Sequence, residues 1–452
     1  MKYILCADFG STYTKLTAID ARGRKILGTS RAPTTVRTNI LGGYNDALAA
    51  LEEITGRLTY DKRLAASSAA GGLNMIAVGL VPNLTSKAAK MAASSAGAKL
   101  IATYSYELVD AELDMIHSQR PDMLLLSGGI DGGNKDVMLK NAEKIAEIGH
   151  VFPVVIAGNK AAAAQAAKIL ESCGKEAVVT ENVMPEFNKL NIEPAKSVIR
   201  ELFIRRIIDA KGLSETNAMM SAQIVPTPLA VFNACEALSG LGTLAAVDVG
   251  GATTDVYSMS DGAPSMPGVI EKGLREPFAK RSIEGDLGVR YSAGSLIEEA
   301  GIDAVAQKSV ASPEVLRRHA KRCAEDPGFI SQDSAAGRID ETLAGECVRI
   351  SMNRHAGRHE TAYTHMGEVL IQTGKDLTKT KYLIGTGGSV IGAVSPETIM
   401  VNALQTGEDY EILKPENPRI IIDRNNILTA MGLLSKVDGE LALGIMKNEF
   451  SL

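Results

Sequence analysis

The strongest constraint on the fold of this 452-residue chain is a short motif that occurs twice. The first copy is Asp8–Lys15, DFGSTYTK, and the second is Asp248–Asp255, DVGGATTD. Each copy joins two apolar, strand-like runs through a tight turn, which predicts a hairpin whose backbone N–H groups converge on a phosphate oxygen. An aspartate at the end of the first strand can hold hydrated Mg²⁺ beside that phosphate. Two copies therefore predict two half-domains that bind opposite ends of a polyphosphate.

The candidate binding residues are those at and next to the two turns. In the first loop they are Asp8, Gly10, Ser11, Thr12 and Thr14. In the second loop they are Asp248, Gly250, Gly251, Thr253 and Thr254. Asp8 and Asp248 are the metal ligands in this interpretation and also the catalytic candidates, because each can position a water molecule through the metal. Lys15 ends the first loop and faces either phosphate or solvent, and Asp255 is equally consistent with a structural role.

The order of further segments resembles that of the actin, hexokinase and Hsp70 superfamily, in which two phosphate loops face each other across a cleft. Lys381–Gly392, KYLIGTGGSVIG, resembles the adenosine motif of that superfamily and would place Gly385, Gly387 and Gly388 at the nucleotide. Pro226–Leu238 and Asp423–Leu434 stand where the superfamily has its two connecting helices. The resemblance implies an α/β, actin-like ATPase fold with two ribonuclease-H-like half-domains around a nucleotide cleft, and ATP and Mg²⁺ as cofactors.

The same comparison predicts a division of the chain, because strands alternating with alanine-rich helices indicate a parallel sheet with crossover helices. The predicted regions are 1–74, the first part of half-domain I; 75–184, an α/β region with an inserted subdomain; 185–242, a helical connector and interdomain helix; 243–437, half-domain II with a helical insertion near 283–378; and 438–452, a C-terminal tail.

Composition excludes several classes of function. The net charge of −5 gives no electrostatic case for binding nucleic acid. No apolar run reaches the length of a membrane span, and the first strand begins after two residues, which predicts no signal peptide. The five cysteines are widely spaced without a C-x-x-C pair, so neither a disulfide framework nor a zinc or iron–sulfur site is expected. A reducing cytoplasm is the predicted location.

Three other segments carry two interpretations each. Ser127–Gly133, SGGIDGG, is typical of a strand-to-helix turn, and the alternative is an anion-binding turn that forms part of a partner surface. Glu284–Arg290, EGDLGVR, indicates a helix N-terminus, with Asp286 as the base of a kinase in the alternative. Arg354–Glu360 indicates a solvated basic helix with His355 and His359 on one face, and the alternative places Arg354, His355 or Arg358 at the adenine.

Several segments in one order resemble the GlmL family, also called MutL and distinct from the mismatch-repair protein of that name. They include ADFGSTYTK, SSAAGGLNMIAVGL, LLLSGGIDGGN, VPTPLAVFNACEAL and AAVDVGGATTD, and the resemblance extends from Met1 to about Leu434. It implies an ATP-dependent accessory protein that reactivates an adenosylcobalamin-dependent mutase, such as glutamate mutase, by releasing damaged cobalamin.

Hsp70-like members have a glutamate before the Pro-Thr of the first connecting helix, where this chain has Val225, so hydrolysis is expected to be slow. A small-molecule kinase of the same fold is the alternative function. An iron–sulfur electron activator is disfavoured by the scattered cysteines, and a filament-forming actin relative ranks last.

Overall fold

A computed structural model describes residues 2–10, 12–35, 40–68, 73–210, 218–329, 334–365 and 367–452. The chain divides into two compact units. The first comprises Met1–Ala69, Ala218–Lys272 and Glu276–Leu452, and the second comprises Ala70–Asn217 with Gly273–Arg275. The predicted loop residue Ser11 lies outside the described residues, as do parts of the segments 67–80, 185–242 and 283–378 discussed above.

The first unit contains two five-stranded sheets that repeat one topology. In each sheet the first three strands in chain order form an antiparallel meander. The fourth strand pairs in parallel with the first, and the fifth pairs in parallel with the fourth. The spatial order of the strands is therefore 5-4-1-2-3. The strands of the first sheet are Tyr3–Phe9, Tyr13–Asp20, Lys25–Pro33, Lys62–Ser67 and Val225–Pro226. Those of the second are Leu244–Val249, Thr254–Met259, Ala279–Glu284, Tyr382–Thr386 and Arg419–Ile422. This duplicated order is that of two ribonuclease-H-like half-domains, and it confirms the predicted fold class.

Two connecting helices, Thr227–Leu238 and Leu428–Ser435, pack against each other in a core shared by both sheets. Gly432 permits their close approach, because a Cβ atom at this position would lie 1.7 Å from the carbonyl oxygen of Ala230. Residues 438–452, predicted as a tail, form the helix Gly439–Glu449 instead. Asp438 caps this helix by accepting a hydrogen bond from the backbone N–H of Leu441. The apolar face of the helix is buried in the same core.

The helical insertion of the second half-domain is not entirely helical. The remaining helices of the first unit are Ile40–Thr55, Ala293–Ala300, Ile302–Ser309, Pro313–Glu325, Ser334–His355, Gly388–Ile391 and Pro396–Met400, with short 3₁₀ turns at Ser239–Leu241 and Val401–Ala403. After Ser334–His355 the chain forms the strands Arg358–Thr364 and Gly367–Thr373, which build a three-stranded sheet with Ile270–Lys272. The insertion is therefore mostly helical, as expected, and ends in strands that the sequence did not predict.

The second unit is a parallel α/β layer structure. Its strands have the spatial order 2-1-3-4-5 and are Asn74–Gly79, Lys99–Ser105, Met123–Leu126, Val154–Ile156 and Ala177–Val179. Its helices are Lys87–Ser95, entered through a π-helical turn at Pro82–Ser86, and Asp110–Gln119, Asp136–Glu147, Lys160–Ser172 and Glu193–Ala210. The structure has the alternation of parallel strands and helices that the sequence predicts for 75–184. Within the part of the chain described above, no helix is both long enough and apolar enough to span a bilayer.

Candidate functional site

The two phosphate-loop hairpins have the same register. Asp8 pairs across the first hairpin with Lys15, and Asp248 pairs across the second with Asp255, so equivalent positions are 240 residues apart. The backbone N–H of Gly10 donates to the carbonyl of Tyr13 at 3.1 Å. The backbone N–H of Gly250 likewise donates to Thr253 at 2.9 Å.

Glycine is required at both of these turns. A Cβ atom would approach the opposing carbonyl oxygen to 2.7 Å at Gly10 and to 2.9 Å at Gly250. The sequence repeat is thus a repeat of backbone geometry.

Asp8 lies at the end of the first strand, beside the start of the first connecting helix. Its side chain is buried, and its Oδ1 accepts a hydrogen bond of 2.6 Å from the hydroxyl of Thr227. Burial raises the pKa of Asp8, while the charge of Lys15 and the bond from Thr227 lower it. Thr227 therefore holds this carboxylate in one orientation and leaves Oδ2 available to a cation.

Asp248 occupies the equivalent position in the second half-domain. Burial raises the pKa of its carboxyl to about 7, and the charges of Asp255, Asp8 and Asp423 contribute in the same direction against Lys15. Its cross-strand neighbour Asp255 has a separate role, because it forms a buried ion pair of 2.6 Å with Arg281. Asp255 is therefore a structural residue, whereas Asp248 belongs to the site.

A third carboxylate, Asp423, was not predicted as a site residue. It directly follows the fifth strand of the second sheet. At the start of the second connecting helix it accepts hydrogen bonds from the backbone N–H groups of Ile427 at 2.8 Å and Leu428 at 3.1 Å. The hydroxyl of Thr386 also donates to it at 3.1 Å. Burial raises the pKa of Asp423 to about 6 despite these bonds. The available sequence signal was an aspartate between the strand Arg419–Ile422 and a helix.

Lys15 is the cation of this acidic cluster. Its side chain is half-buried, and its charge lowers the pKa of Asp8, Asp248 and Asp423. Its effect on all three carboxylates indicates that its charge lies near this cluster. One lysine opposes three carboxylates, which leaves net negative charge when all three are ionised. Carboxylate oxygens are ligands that suit a hydrated Mg²⁺ ion.

The predicted adenosine segment contacts the second hairpin directly. The strand Tyr382–Thr386 runs parallel to Leu244–Val249, and Gly387 follows it with a positive φ of 92°. A Cβ atom at Gly387 would lie 2.4 Å from the carbonyl oxygen of Val249 and 2.6 Å from Oδ1 of Asp248.

The two other glycines of this segment differ in their surroundings. Gly385 packs against Met400, with a Cβ position 2.7 Å from its sulfur. At Gly388, by contrast, a Cβ atom would have no packing neighbour within 4 Å among the described residues. The space beside Gly388 is therefore available to a ligand.

The remaining loop candidates differ in what their side chains can reach. Thr14 is buried with its hydroxyl 3.1 Å from that of Thr34, and Thr254 is buried and donates to the carbonyl of Leu287 at 2.8 Å. Both hydroxyls face the protein interior, so these threonines can offer a phosphate only their backbone. Thr12, by contrast, is exposed at the turn.

The segment Glu284–Arg290 supports the second phosphate loop. It does not begin a helix as predicted, because Glu284 ends a strand and the next helix begins at Ala293. The backbone N–H groups of Val289 and Arg290 donate to the carbonyls of Gly250 and Gly251 at 3.2 and 2.8 Å. A Cβ atom at Gly288 would lie 2.5 Å from the carbonyl carbon of Ala252, so this segment lies against the loop.

The prediction of a solvated basic helix at Arg354–Glu360 was wrong. His355 is fully buried and hydrogen-bonded to the hydroxyls of Ser258 and Ser282 at 2.8 and 2.7 Å. His359 lies in the strand Arg358–Thr364, so the two histidines do not share a helix face. Arg354 forms ion pairs with three carboxylates, those of Glu284, Asp286 and Glu299.

The turn Ser127–Gly133 has the predicted strand-to-helix position and is braced from within the second unit. Gly129 has a φ of +70°, and a Cβ atom there would lie 2.0 Å from the carbonyl oxygen of Asn134. Asn182 donates to the carbonyl of Gly129 and to Asp131, each at 3.0 Å. These contacts give the glycines a structural function in the turn.

Comparisons with known proteins agree with the resemblance found in the sequence. Residues 4–450 match the family described as MutL protein. The chain is 43% identical over 456 residues to Protein MutL of Clostridium tetanomorphum, and the alignment covers 99% of each chain.

Solved structures with a similar fold include nucleotide-free acetone carboxylase, with a TM-score of 0.40 and 14% identity over 96% of this chain and 70% of that chain. Gluconate kinase from Lactobacillus acidophilus has a TM-score of 0.35 and 12% identity over 98% of this chain and 91% of that chain. Because the family match covers nearly the whole sequence, the chain belongs to the MutL family.

Proposed function

We propose that this protein binds ATP with Mg²⁺ at the paired hairpins, hydrolyses it slowly, and uses the nucleotide cycle to reactivate an adenosylcobalamin-dependent mutase by releasing damaged cobalamin. The observation that carries the nucleotide part is the acidic cluster of Asp8, Asp248 and Asp423 between two hairpins of identical register. Family membership supports the accessory role. A cytoplasmic location is part of the same proposal.

In this proposal each part of the site has a distinct task. Asp8 and Asp248 would hold Mg²⁺, which would neutralise charge on the phosphates. Thr227 fixes the orientation of Asp8. The turns at Gly10 and Gly250 would bring backbone N–H groups to the phosphates, and the absence of a side chain at Gly387 lets the predicted adenosine segment lie directly against Asp248.

We expect slow turnover because the chain has a valine at the position where related ATPases have a water-orienting glutamate. Val225, in the fifth strand of the first sheet, has no group able to orient water, and it stands where the superfamily's Hsp70-like members have a glutamate. Asp8 and Asp248 would position water only through the cation. An ATPase of this kind is suited to driving a conformational change in a partner, since binding and release of nucleotide can favour different states of the protein.

The second unit supplies the proposed partner surface. The carboxyl ends of its parallel strands lie at one edge, a common recognition site in α/β folds. The backbone N–H of Asp131, in the glycine turn, donates to Pro185 at 2.9 Å, and Phe187 two residues later is 67% exposed. An exposed aromatic side chain next to a rigid turn is a suitable anchor for a protein partner.

Replacement of Gly129 would not test this surface, because any side chain there would disrupt the turn. Phe187→Ala removes an exposed side chain and is expected to leave folding and ATP binding unchanged while impairing mutase reactivation. Val151→Ala is the matched control. Val151 is 63% exposed and precedes the strand Val154–Ile156, so it lies at the amino ends of the strands and not at their carboxyl ends. Equal reactivation by both variants would remove Phe187 from the proposed surface.

The kinase alternative has less support. Asp286, its candidate base, is ion-paired with Arg354 at 3.2 Å in the cluster that also includes Glu284 and Glu299. Arg354 therefore already engages this carboxylate in the structure.

The deciding experiment mixes an inactivated coenzyme-B12 mutase of the same organism with ATP, Mg²⁺, fresh adenosylcobalamin and this protein. Recovery of mutase activity that requires ATP and is lost in Asp8→Asn is the expected result. Absence of recovery with every such mutase, together with phosphate transfer to a sugar or carboxylic acid, would establish the kinase alternative.

A further inference from the structure

A second cluster of potential metal ligands lies in the helical insertion, and none of its residues is among those assigned to nucleotide. His319 and Cys323 are on the helix Pro313–Glu325, and Asp340 is on the helix Ser334–His355. One ligand atom from each residue lies within 4.8 Å of the other two, and no other such group of three occurs among the described residues. From these contacts we propose a binding site for a divalent cation of the zinc class.

The spacing along the helix explains how two of the donors converge. His319 and Cys323 are separated by four residues, so they lie on one face of the helix, one turn apart. That face is directed into the insertion, because Cys323 is fully buried and His319 is 7% exposed. Asp340 reaches the same point from the neighbouring helix, with its Oδ1 3.0 Å from Nε2 of His319.

The distances suit a small tetrahedral ion. In a zinc site with metal–ligand bonds of about 2.0–2.3 Å, neighbouring donor atoms are about 3.3–3.6 Å apart. The present contact between His319 and Asp340 would have to lengthen by only a few tenths of an ångström. The cation would then take the place of the proton that bridges Nε2 and Oδ1, and the Cys323 thiol would lose its proton to become the third ligand.

The donor types select among cations. Thiolate and imidazole together with a single carboxylate favour Zn²⁺ or Co²⁺ over Mg²⁺ and Ca²⁺, which prefer oxygen ligands alone. Three protein ligands leave a fourth position open. Arg290 forms hydrogen bonds to both oxygens of Asp340, at 2.8 and 3.3 Å, and would stay as a partner that orients this carboxylate.

The same residues also form a coherent ion-pair network without a metal. Burial alone would lower the pKa of His319, but its hydrogen bonds with Asp340 and Cys323 raise that pKa to about 9. A protonated histidine between Asp340 and Cys323 is therefore the competing description, and the experiment must separate the two.

Titration with Co²⁺ separates them by its absorption spectrum. The full chain is prepared with Cys173→Ala, because Cys173 is exposed and would bind cobalt adventitiously. The metal site predicts one equivalent of Co²⁺ with a thiolate-to-cobalt charge-transfer band and tetrahedral visible bands, both removed by adding Zn²⁺, which binds such sites more tightly. Cobalt bound through carboxylates alone would give no thiolate band.

Three variants complete the test. Cys323→Ala is expected to abolish the thiolate band, and His319→Ala to weaken Co²⁺ binding by at least about tenfold. Cys347→Ala is the matched control, because Cys347 is a fully buried cysteine in the same insertion that does not belong to the cluster. A folded parent protein without a thiolate band, or a band that persists in Cys323→Ala, would overturn the proposal and leave the ion-pair network as the function of these residues.

Discussion

We expect the ionised carboxylates of the site to lower the free energy of unfolding of the nucleotide-free protein. The variant Asp248→Asn tests this expectation. The folded state raises the pKa of Asp248 from its ordinary value of 3.8 to about 7, so the folded protein binds this proton more readily than the unfolded chain does. Stability then falls as the pH rises from 3.8 to about 7, because the unfolded chain gives up the proton first. Neutralising the carboxylate removes this loss.

The expected magnitude follows from the same interval. Three pH units at 1.36 kcal/mol each correspond to a ceiling of about 4 kcal/mol at pH 8. Burying an amide in place of the carboxylate costs about 1–3 kcal/mol, and Asp248 is only partly buried, which reduces the gain further. We expect Asp248→Asn to be more stable than the parent by about 1–2 kcal/mol at pH 8, and no more stable at pH 4.

The assay is urea unfolding at pH 8 and pH 4 without Mg²⁺ or nucleotide. Asp255→Asn is the matched control, because Asp255 is the cross-strand partner of Asp248 but pairs with the buried Arg281. Removing that carboxylate is expected to destabilise the protein by about 3–5 kcal/mol, the opposite sign. A destabilised Asp248→Asn at pH 8 would refute the description of Asp248 as a carboxylate held at an energetic cost.

Three further predictions concern packing, turnover and charge. Gly432→Ala should destabilise the protein by about 3 kcal/mol or more in urea unfolding, since its Cβ would lie 1.7 Å from a carbonyl oxygen. The control is Gly294→Ala, at a helix position where a Cβ has open space, and it should be neutral or stabilising by up to about 1 kcal/mol. Steady-state ATP hydrolysis by the isolated protein should lie well below about 10 per second, and a faster rate would mean that a water-orienting residue other than Val225 has been missed. Lys15→Met should move the pH midpoint of Mg²⁺-dependent nucleotide binding upward, because Lys15 lowers the pKa of Asp248; an unchanged midpoint would contradict its position in the cluster.

The hairpins could be predicted because their determinants are local. Tight turns at Gly10 and Gly250 need glycine for steric reasons, and the apolar runs on either side determine which strands pair. The duplicated sheets followed from the repeat of this motif. The parallel strands of the second unit were predicted for a similar reason, since each is a short apolar run between amphipathic helices.

What was missed depends on contacts between distant segments. Asp423 lies in the site because the strand that precedes it, Arg419–Ile422, pairs with the strand Tyr382–Thr386. No local sequence pattern specifies which strands pair in this way. The cluster of His319, Cys323 and Asp340 forms only when two helices pack together. His355 and His359 were assigned to one helix by their spacing, but the backbone N–H of Gly357 donates to the carbonyl of Lys375 and the chain continues as a strand.

The central claim is that Mg²⁺ and ATP bind between the two hairpins, and calorimetric titration of Mg·ATP into the parent protein, two site variants and one control variant tests it most directly. Asp8→Asn and Asp248→Asn should each weaken binding by at least about 100-fold, equivalent to about 2.8 kcal/mol. Asp46→Asn, at an exposed position of the helix Ile40–Thr55, is the control and should bind as the parent does. If both site variants bind Mg·ATP with the affinity of the parent, the paired hairpins are not the nucleotide site.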